Sequence, residues 1–324
     1  MCGESRSTTR RFTWQELSQL NQRHNAHVAV RGKVYDVSAF IEKHPGGARQ
    51  LLLGAGRDIT MIFESYHHFN NSKVLEKYYV GELVTNELPV FPKPGLFYVT
   101  LRERVDKYFK EKNIDAKISY RMFLSYLVFF LTSNLFWVGM MLFHETVLLG
   151  LLMATGWGFF AAMIGLTSFH DANHFAITHK PWVWNVVGSF HDFFLGNSMI
   201  VLIHQHVLGH HQYTNIDGAD PDIVTDTVDI RRIKWSQRWM PRYLYQHIYV
   251  PFLYCALGTK TRVQDLYVLY SRQNANIRVN RLTNTQLFVV FAGKLTHCIY
   301  RFLVPWLFMP WTSLSPYFKS DIID

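Results

Sequence analysis

The chain has 324 residues, 49% of them hydrophobic and 18% charged, with 25 Phe, 17 Tyr and 9 Trp, a composition that excludes a disordered chain, a collagen and a coiled coil. The formal net charge is +9, but no basic helix or RNA-binding signature accompanies it, so no nucleic acid partner is expected. The excess sits beside apolar runs: Arg231 to Arg281 holds ten Lys/Arg against one acidic residue, Asp265, the pattern of a cytoplasmic loop flanking a membrane.

Arg6, Arg10 and Arg11 open the chain without a following apolar run, so no secretory signal is expected, and Cys2 breaks the myristoylation pattern. Cys2, Cys255 and Cys298 stand in unrelated contexts, which points to a reducing compartment. Residues 10–84 read as a compact polar domain: Phe12-Thr13-Trp14 opens a helix pattern, and Val28-Ala29-Val30 and Lys33 to Val37 read as short strands around Arg31-Gly32. Residues 85–97, with Pro89, Pro92 and Pro94, form a stiff linker. Residues 98–324 form the second domain, opening with a basic amphipathic stretch, 98–121, expected at a membrane surface.

Residues 122–143 and 146–168 carry no Lys, Arg, Asp or Glu and are each long enough to span the membrane, with His144-Glu145 as the turn of a helical hairpin. Two crossings return the chain to its starting side. In residues 181–203 the polar Asn185, His191, Asp192 and Asn197 interrupt an apolar run, so an interfacial or re-entrant segment is expected. A third span is placed at about 286–311, despite Lys294, His297 and Arg301.

His44-Pro45-Gly46-Gly47 puts an imidazole on a turn whose glycines let the backbone pass close to a planar ligand. Phe63-Glu64-Ser65-Tyr66-His67-His68 supplies a second imidazole, after Leu51, Leu52 and Leu53. Two imidazoles on opposite faces of haem iron make a one-electron carrier with no site for oxygen.

Eight of the 16 histidines fall between 170 and 211. His170 and His174 are spaced i, i+4, which on an α-helix is chelating geometry. His206 and His210 repeat that spacing, and His211 points about 100° away around an α-helix, which suggests a second ion. Imidazoles suit several metals. A site beside a one-electron haem domain needs electrons, which zinc cannot use, and two oxygen-activating irons are the consistent choice. His179, His191 and His204 read as packing or supporting residues, Asp171 and Asn173 as groups able to orient ligand imidazoles, and Asp217, Asp220 and Asp222 as a solvated loop.

Residues 10–83 resemble the cytochrome b5 domain in His44 to Gly47, Lys33 to Val37, Ala55 to Thr60 and Phe63-Glu64. The resemblance implies haem b held by His44 and His67, with His68 as the alternative. Residues 98–312 resemble the front-end membrane fatty acid desaturases in His170-Asp171-Ala172-Asn173-His174-Phe175, His206 to His211, Tyr213-Thr214-Asn215-Ile216, Asp220-Pro221-Asp222 and Arg231 to Lys234. An N-terminal cytochrome b5 domain is that subfamily's arrangement, and the likeness is closest to fungal and protist delta-5 acyl-lipid desaturases. It implies an α+β cytochrome b5-like domain followed by an all-α multi-span membrane domain, two non-haem irons on His170, His174, His206, His210 and His211, an acyl-lipid or acyl-CoA substrate carrying a C20 polyunsaturated chain, electrons from an NADH-dependent cytochrome b5 reductase, and residence in the endoplasmic reticulum with haem domain and histidine boxes facing the cytosol.

The family has a third box, Gln-x-x-His-His, and nothing after His211 fits it. Five imidazoles fall short of the roughly eight or more ligands that two nitrogen-ligated irons need. The expectation is a truncated chain with an incomplete iron site, and iron chemistry that collapses without further ligands. Three other readings stand beside it: a delta-6 fatty acid or sphingolipid long-chain-base desaturase, a membrane-anchored cytochrome b5-type electron carrier, and a gene-model fragment.

Overall fold

The computed structural model describes residues 9–67, 72–86, 89–223 and 230–309, and the chain divides into two compact units. The first joins Met1–Leu96 to Ile203–Ala256 and Tyr267–Arg281; the second joins Phe97–Leu202 to Leu257–Leu266 and Leu282–Asp324.

The N-terminal part of the first unit runs β1 (Arg11–Phe12), α1 (Trp14–Gln19), β2 (Asn21–Gln22), β3 (Asn25–Val30), β4 (Lys33–Asp36), a 3-10 turn (Ser38–Lys43), α2 (Ala48–Leu53), β5 (Arg57–Asp58), α3 (Thr60–Tyr66), α4 (Ser72–Leu75) and β6 (Tyr79–Leu83). Thr13 starts α1 with a capping box: its hydroxyl accepts from the Glu16 N–H, while the Glu16 carboxylate accepts from the Thr13 N–H at 2.7 Å. Arg31 and Gly32 both take positive φ, 53° and 78°, the backbone that a tight two-residue hairpin between twisted strands requires.

The sheet order is β1-β6-β4-β3-β2, with β5 paired parallel to β3. β3 is buried on both faces, so successive residues enter different cores. Val28 and Val30 join Tyr35, Val37, Ile41, Ala55 and Ile59, whereas Ala29 joins Phe12, Leu17 and Val34. Leu51, Leu52, Ile62 and Phe63 pack against the first core and place α2 and α3 beside the two haem-type histidines.

The first unit also holds the second histidine segment and, as a departure from an entirely helical second domain, a short hairpin of Gln273–Asn274 with Ile277–Arg278.

The second unit is helical. Among the described residues, three helices are long and apolar enough to cross a membrane: Tyr120–Leu142, Val147–Asn173 and Asn284–Phe308. The first two pack through aromatic pairs such as Phe136 and Phe160, with ring centroids 5.6 Å apart. Asn134, polar in an apolar helix, donates to the Phe130 carbonyl at 2.8 Å and so satisfies itself internally.

Pro181–Leu195 stops at Gly196, which takes φ 73°, and the Asp192 carboxylate accepts from the Met199 N–H at 2.8 Å to start the next helix. By length and composition this broken pair is a fourth span or a re-entrant loop. Lys294 in Asn284–Phe308 is matched locally: it lies 2.9 Å from the Asp265 carboxylate and also donates to the Gly196 and Arg262 carbonyls. The expected third span overlaps this helix, but its last two residues, like the tail from Ser313 to Asp324, lie outside the described residues.

Candidate haem and iron sites

His44 ends the 3-10 turn that follows β4, and its Nδ1 lies 3.0 Å from the Gly47 carbonyl. Gly47 takes φ 92°, and a side chain on Gly46 would put a Cβ 2.8 Å from His44 Cε1. Both glycines of the motif therefore serve the imidazole, one by its backbone conformation and the other by lacking bulk.

His67 caps α3, with its Nδ1 3.1 Å from the Phe63 carbonyl. In both residues the Nδ1–H donates to a main-chain oxygen, which fixes the tautomer in which Nε2 carries the lone pair that could ligate a metal. The two ring centroids are 6.0 Å apart. Two imidazoles each about 2 Å from one iron have centroids about 6 Å apart, so the pair fits a six-coordinate haem. His68 lies outside the described residues.

In the second unit, His170 and His174 occupy the end of the helix Val147–Asn173, just after a π-helical turn at Gly165–Phe169. Their ring centroids are 4.5 Å apart. The Asp171 carboxylate accepts from His170 Nδ1 at 3.2 Å and from the Tyr126 hydroxyl at 2.5 Å, linking a ring to a neighbouring helix. Asn173 does not reach a ligand candidate through its amide; it donates to the Phe169 carbonyl at 2.9 Å. His191 is buried against the Ser168 hydroxyl at 2.9 Å, and His179 meets Asp115, as supporting residues do.

In the first unit, the second box departs from the α-helical geometry that its spacing suggested. Ile203–His210 is a π-helix, in which hydrogen bonds run i to i+5 and residues five apart become neighbours. His206 and His211 therefore meet, Nε2 to Nε2 at 3.0 Å, instead of pointing to separate ions. Two nitrogens about 2.1 Å from one cation at a right angle are about 3.0 Å apart, so this pair fits a shared metal ion.

His210 turns its Nδ1 to Asp220, 3.0 Å from either carboxylate oxygen. Asp220 is 0% exposed and also accepts from the Asn215 and Asp222 N–H groups at 2.8 and 2.9 Å. Burial opposes its ionisation, but those donors and the His210 ring outweigh it and hold the carboxyl below the usual carboxylate range. The expected solvated loop is thus half wrong. Asp217 is exposed and pairs with Lys234 at 2.6 Å, while Asp220 is a buried orienting group and Asp222 accepts from Gln205.

The available sequence signal was the pair of left-handed residues Asn215 and Gly218, with φ 62° and 73°, which folds the loop back onto the helix. Gly209 lets it seat: a Cβ there would meet Pro221 Cγ at 2.6 Å and Ile277 Cγ1 at 2.9 Å. His204, 1% exposed, packs beneath the box.

A model of the fatty acid desaturase family matches residues 145–318, and one of the cytochrome b5-like heme/steroid binding domain matches residues 13–84. The chain belongs to the fatty acid desaturases. An acyl-lipid (8-3)-desaturase of Mortierella alpina is 44% identical over 92% of this chain and 68% of its own length. A probable Delta(5) fatty acid desaturase C of Dictyostelium discoideum is 37% identical over 95% of this chain and 68% of its own. An acyl-lipid (8-3)-desaturase of Physcomitrium patens is 33% identical over 99% and 69%.

The desaturase is therefore of an enzymatic, oxidoreductase family. It joins a haem-binding α+β domain to a helical, membrane-integral one, the haem domain implying electron transfer and the desaturase domain iron and a lipid substrate.

Proposed function

We propose that this desaturase is of the front-end type and inserts a delta-5 double bond into a C20 polyunsaturated acyl chain in polyunsaturated fatty acid biosynthesis. Residues 10–84 hold haem b on His44 and His67, 85–97 connect, and 98–324 form the membrane part. His170, His174, His206, His210 and His211 supply five imidazoles to a two-iron site that lacks its third box in this chain, the acyl group arrives on a lipid or on CoA, and an NADH-dependent cytochrome b5 reductase feeds the haem. We place the chain in the endoplasmic reticulum with haem and boxes on the cytosolic side, because two crossings between the haem domain and His170 return the chain to one face.

The observation that carries the reading is the joining of a two-imidazole haem site to chelating histidine pairs, 3.0 Å apart at His206 and His211, in a chain whose relatives are named delta-5 and (8-3) desaturases. When bound, iron supplies the oxidising power to break an unactivated C–H bond. The balance is two hydrogens from the acyl chain, two protons and two electrons reducing one dioxygen to two waters. The protein's own part is to fix the imidazoles: Asp220 accepts from His210 Nδ1 and Asp171 from His170 Nδ1, which would leave each Nε2 as the nitrogen able to ligate iron.

In yeast expressing the chain and fed a C20 trienoic acid, a new delta-5 double bond that is lost on His206→Ala supports the reading and shows that the five imidazoles suffice without a third box. A haem-loaded protein that accumulates without product or iron would overturn the enzyme reading and leave a membrane-anchored electron carrier. A double bond at delta-6 or in a sphingoid base would overturn the regiochemistry alone.

A further inference from the structure

The hairpin Gln273–Asn274 and Ile277–Arg278 has two sides, both engaged within the first unit. On one side it grips the second histidine segment. Ile277 lies against Gly209, the Asn274 amide donates to Gln205 at 2.9 Å, the Asn276 amide donates to the Gly218 and Ala219 carbonyls, and the Asn280 N–H donates to His204 Nε2 at 3.4 Å.

On the other side it grips the haem domain through main-chain oxygens. Arg278 donates to the Ser18 carbonyl at 2.5 Å and to that of Gly56 at 3.0 Å. The Asn280 amide donates to the carbonyls of Leu52, Leu53 and Ala55 at 3.0, 3.4 and 3.2 Å. Arg57, only 9% exposed, reaches back, donating to the Arg278 carbonyl and to Asn280 Oδ1. Gly56 takes φ 73°, and a Cβ there would meet Arg278 Nη2 at 2.9 Å, so the haem domain is shaped to admit the guanidinium.

We propose that Arg57, Arg278 and Asn280 form a latch that seats the haem domain on the second histidine box, so that the electron passes across a fixed contact and not through a freely tethered domain. Apart from Ser18 on α1, the latch carbonyls lie on and just after α2, the helix that leaves the His44 turn, and Asn280 continues through its own backbone to His204, two residues before His206. With haem and iron bound, the haem would give up one electron and iron held by the second histidine box would take it up, with no bond formed or broken. Arg57, Arg278 and Asn280 are positioning residues, and the electron-transfer part of the inference rests on the desaturase reading above.

Asn280→Asp is nearly isosteric but sets an acceptor against three carbonyl oxygens, which repel it. In the full chain loaded with haem, amide hydrogen exchange in peptides covering 48–56 and 203–213 should rise about tenfold or more, while β3 and β4 and the Soret band stay as in the parent. After flash reduction of the haem in iron-loaded protein, its concentration-independent reoxidation should slow about tenfold or more, at an unchanged haem reduction potential.

Unchanged exchange in both peptides overturns the latch. If β3 and β4 also lose protection, the same peptides are read in Arg278→Ala, where unchanged exchange is equally fatal. A parent chain that shows no intramolecular reoxidation, with exchange responding as described, instead overturns the desaturase reading and leaves the latch standing.

Discussion

The His44–His67 pair and the second histidine box, the candidate haem and iron sites, orient their imidazoles by opposite means. His44 and His67 are each held by a main-chain carbonyl three or four residues away, from Gly47 and Phe63. His210 is held by a buried carboxylate ten residues on, which itself depends on the Asn215 turn and on the absence of a side chain at Gly209. A site oriented by its own backbone tolerates change elsewhere; one oriented through a folded-back loop inherits every weakness of that loop.

Mutations sharpen the contrast. The largest effect is expected for His44→Ala, which removes an axial ligand: haem retained per protein should fall by more than about a hundredfold, and the reducible bis-imidazole spectrum with it. Iron content under chelator challenge should then fall about 10–100-fold for Asp220→Ala, the range for losing a group that orients a metal-bound histidine, while the haem spectrum is unaffected.

Gly209→Ala forces apart Pro221 and Ile277 and should lower stability by about 1–3 kcal/mol in thermal unfolding of the metal-free chain, again sparing the haem. Tyr126→Phe, which removes one donor from Asp171 but leaves the His170 contact, should cost only a few-fold in iron retention, in line with about 1 kcal/mol for one hydrogen bond. Asp217→Asn, at the exposed end of the same loop as Asp220, should change iron retention by less than about twofold, because its pair with Lys234 is solvated. Were Asp217 to matter as much as Asp220, the distinction between orienting and solvated carboxylates would be lost.

Much of this molecule was legible from local pattern. The His44-Pro45-Gly46-Gly47 turn, the short strands around Arg31-Gly32 and the apolar runs became the His44–His67 pair, the β3–β4 hairpin and the spanning-length helices, because each depends on residues close in sequence. The clustering of histidines at 170–174 and 206–211 was equally plain, since spacing is a property of the chain.

The pairing within the second box was not, because i, i+4 spacing means contact only on an α-helix, and the turn here is a π-helix. The i, i+4 spacing does not show that the helix widens, nor that Pro221 and Ile277 lie against Gly209 within the widened segment. The same holds for Asp220, polar in a polar loop yet 0% exposed, and for Asn280, which looks unremarkable in sequence and touches residues more than two hundred positions away. Sequence thus determined where the imidazoles cluster and where the chain is apolar. Only the tertiary structure decided which imidazoles meet, which carboxylate loses its water and which loop joins haem domain to box, because burial and long-range contact depend on the folded chain and not on any segment of it.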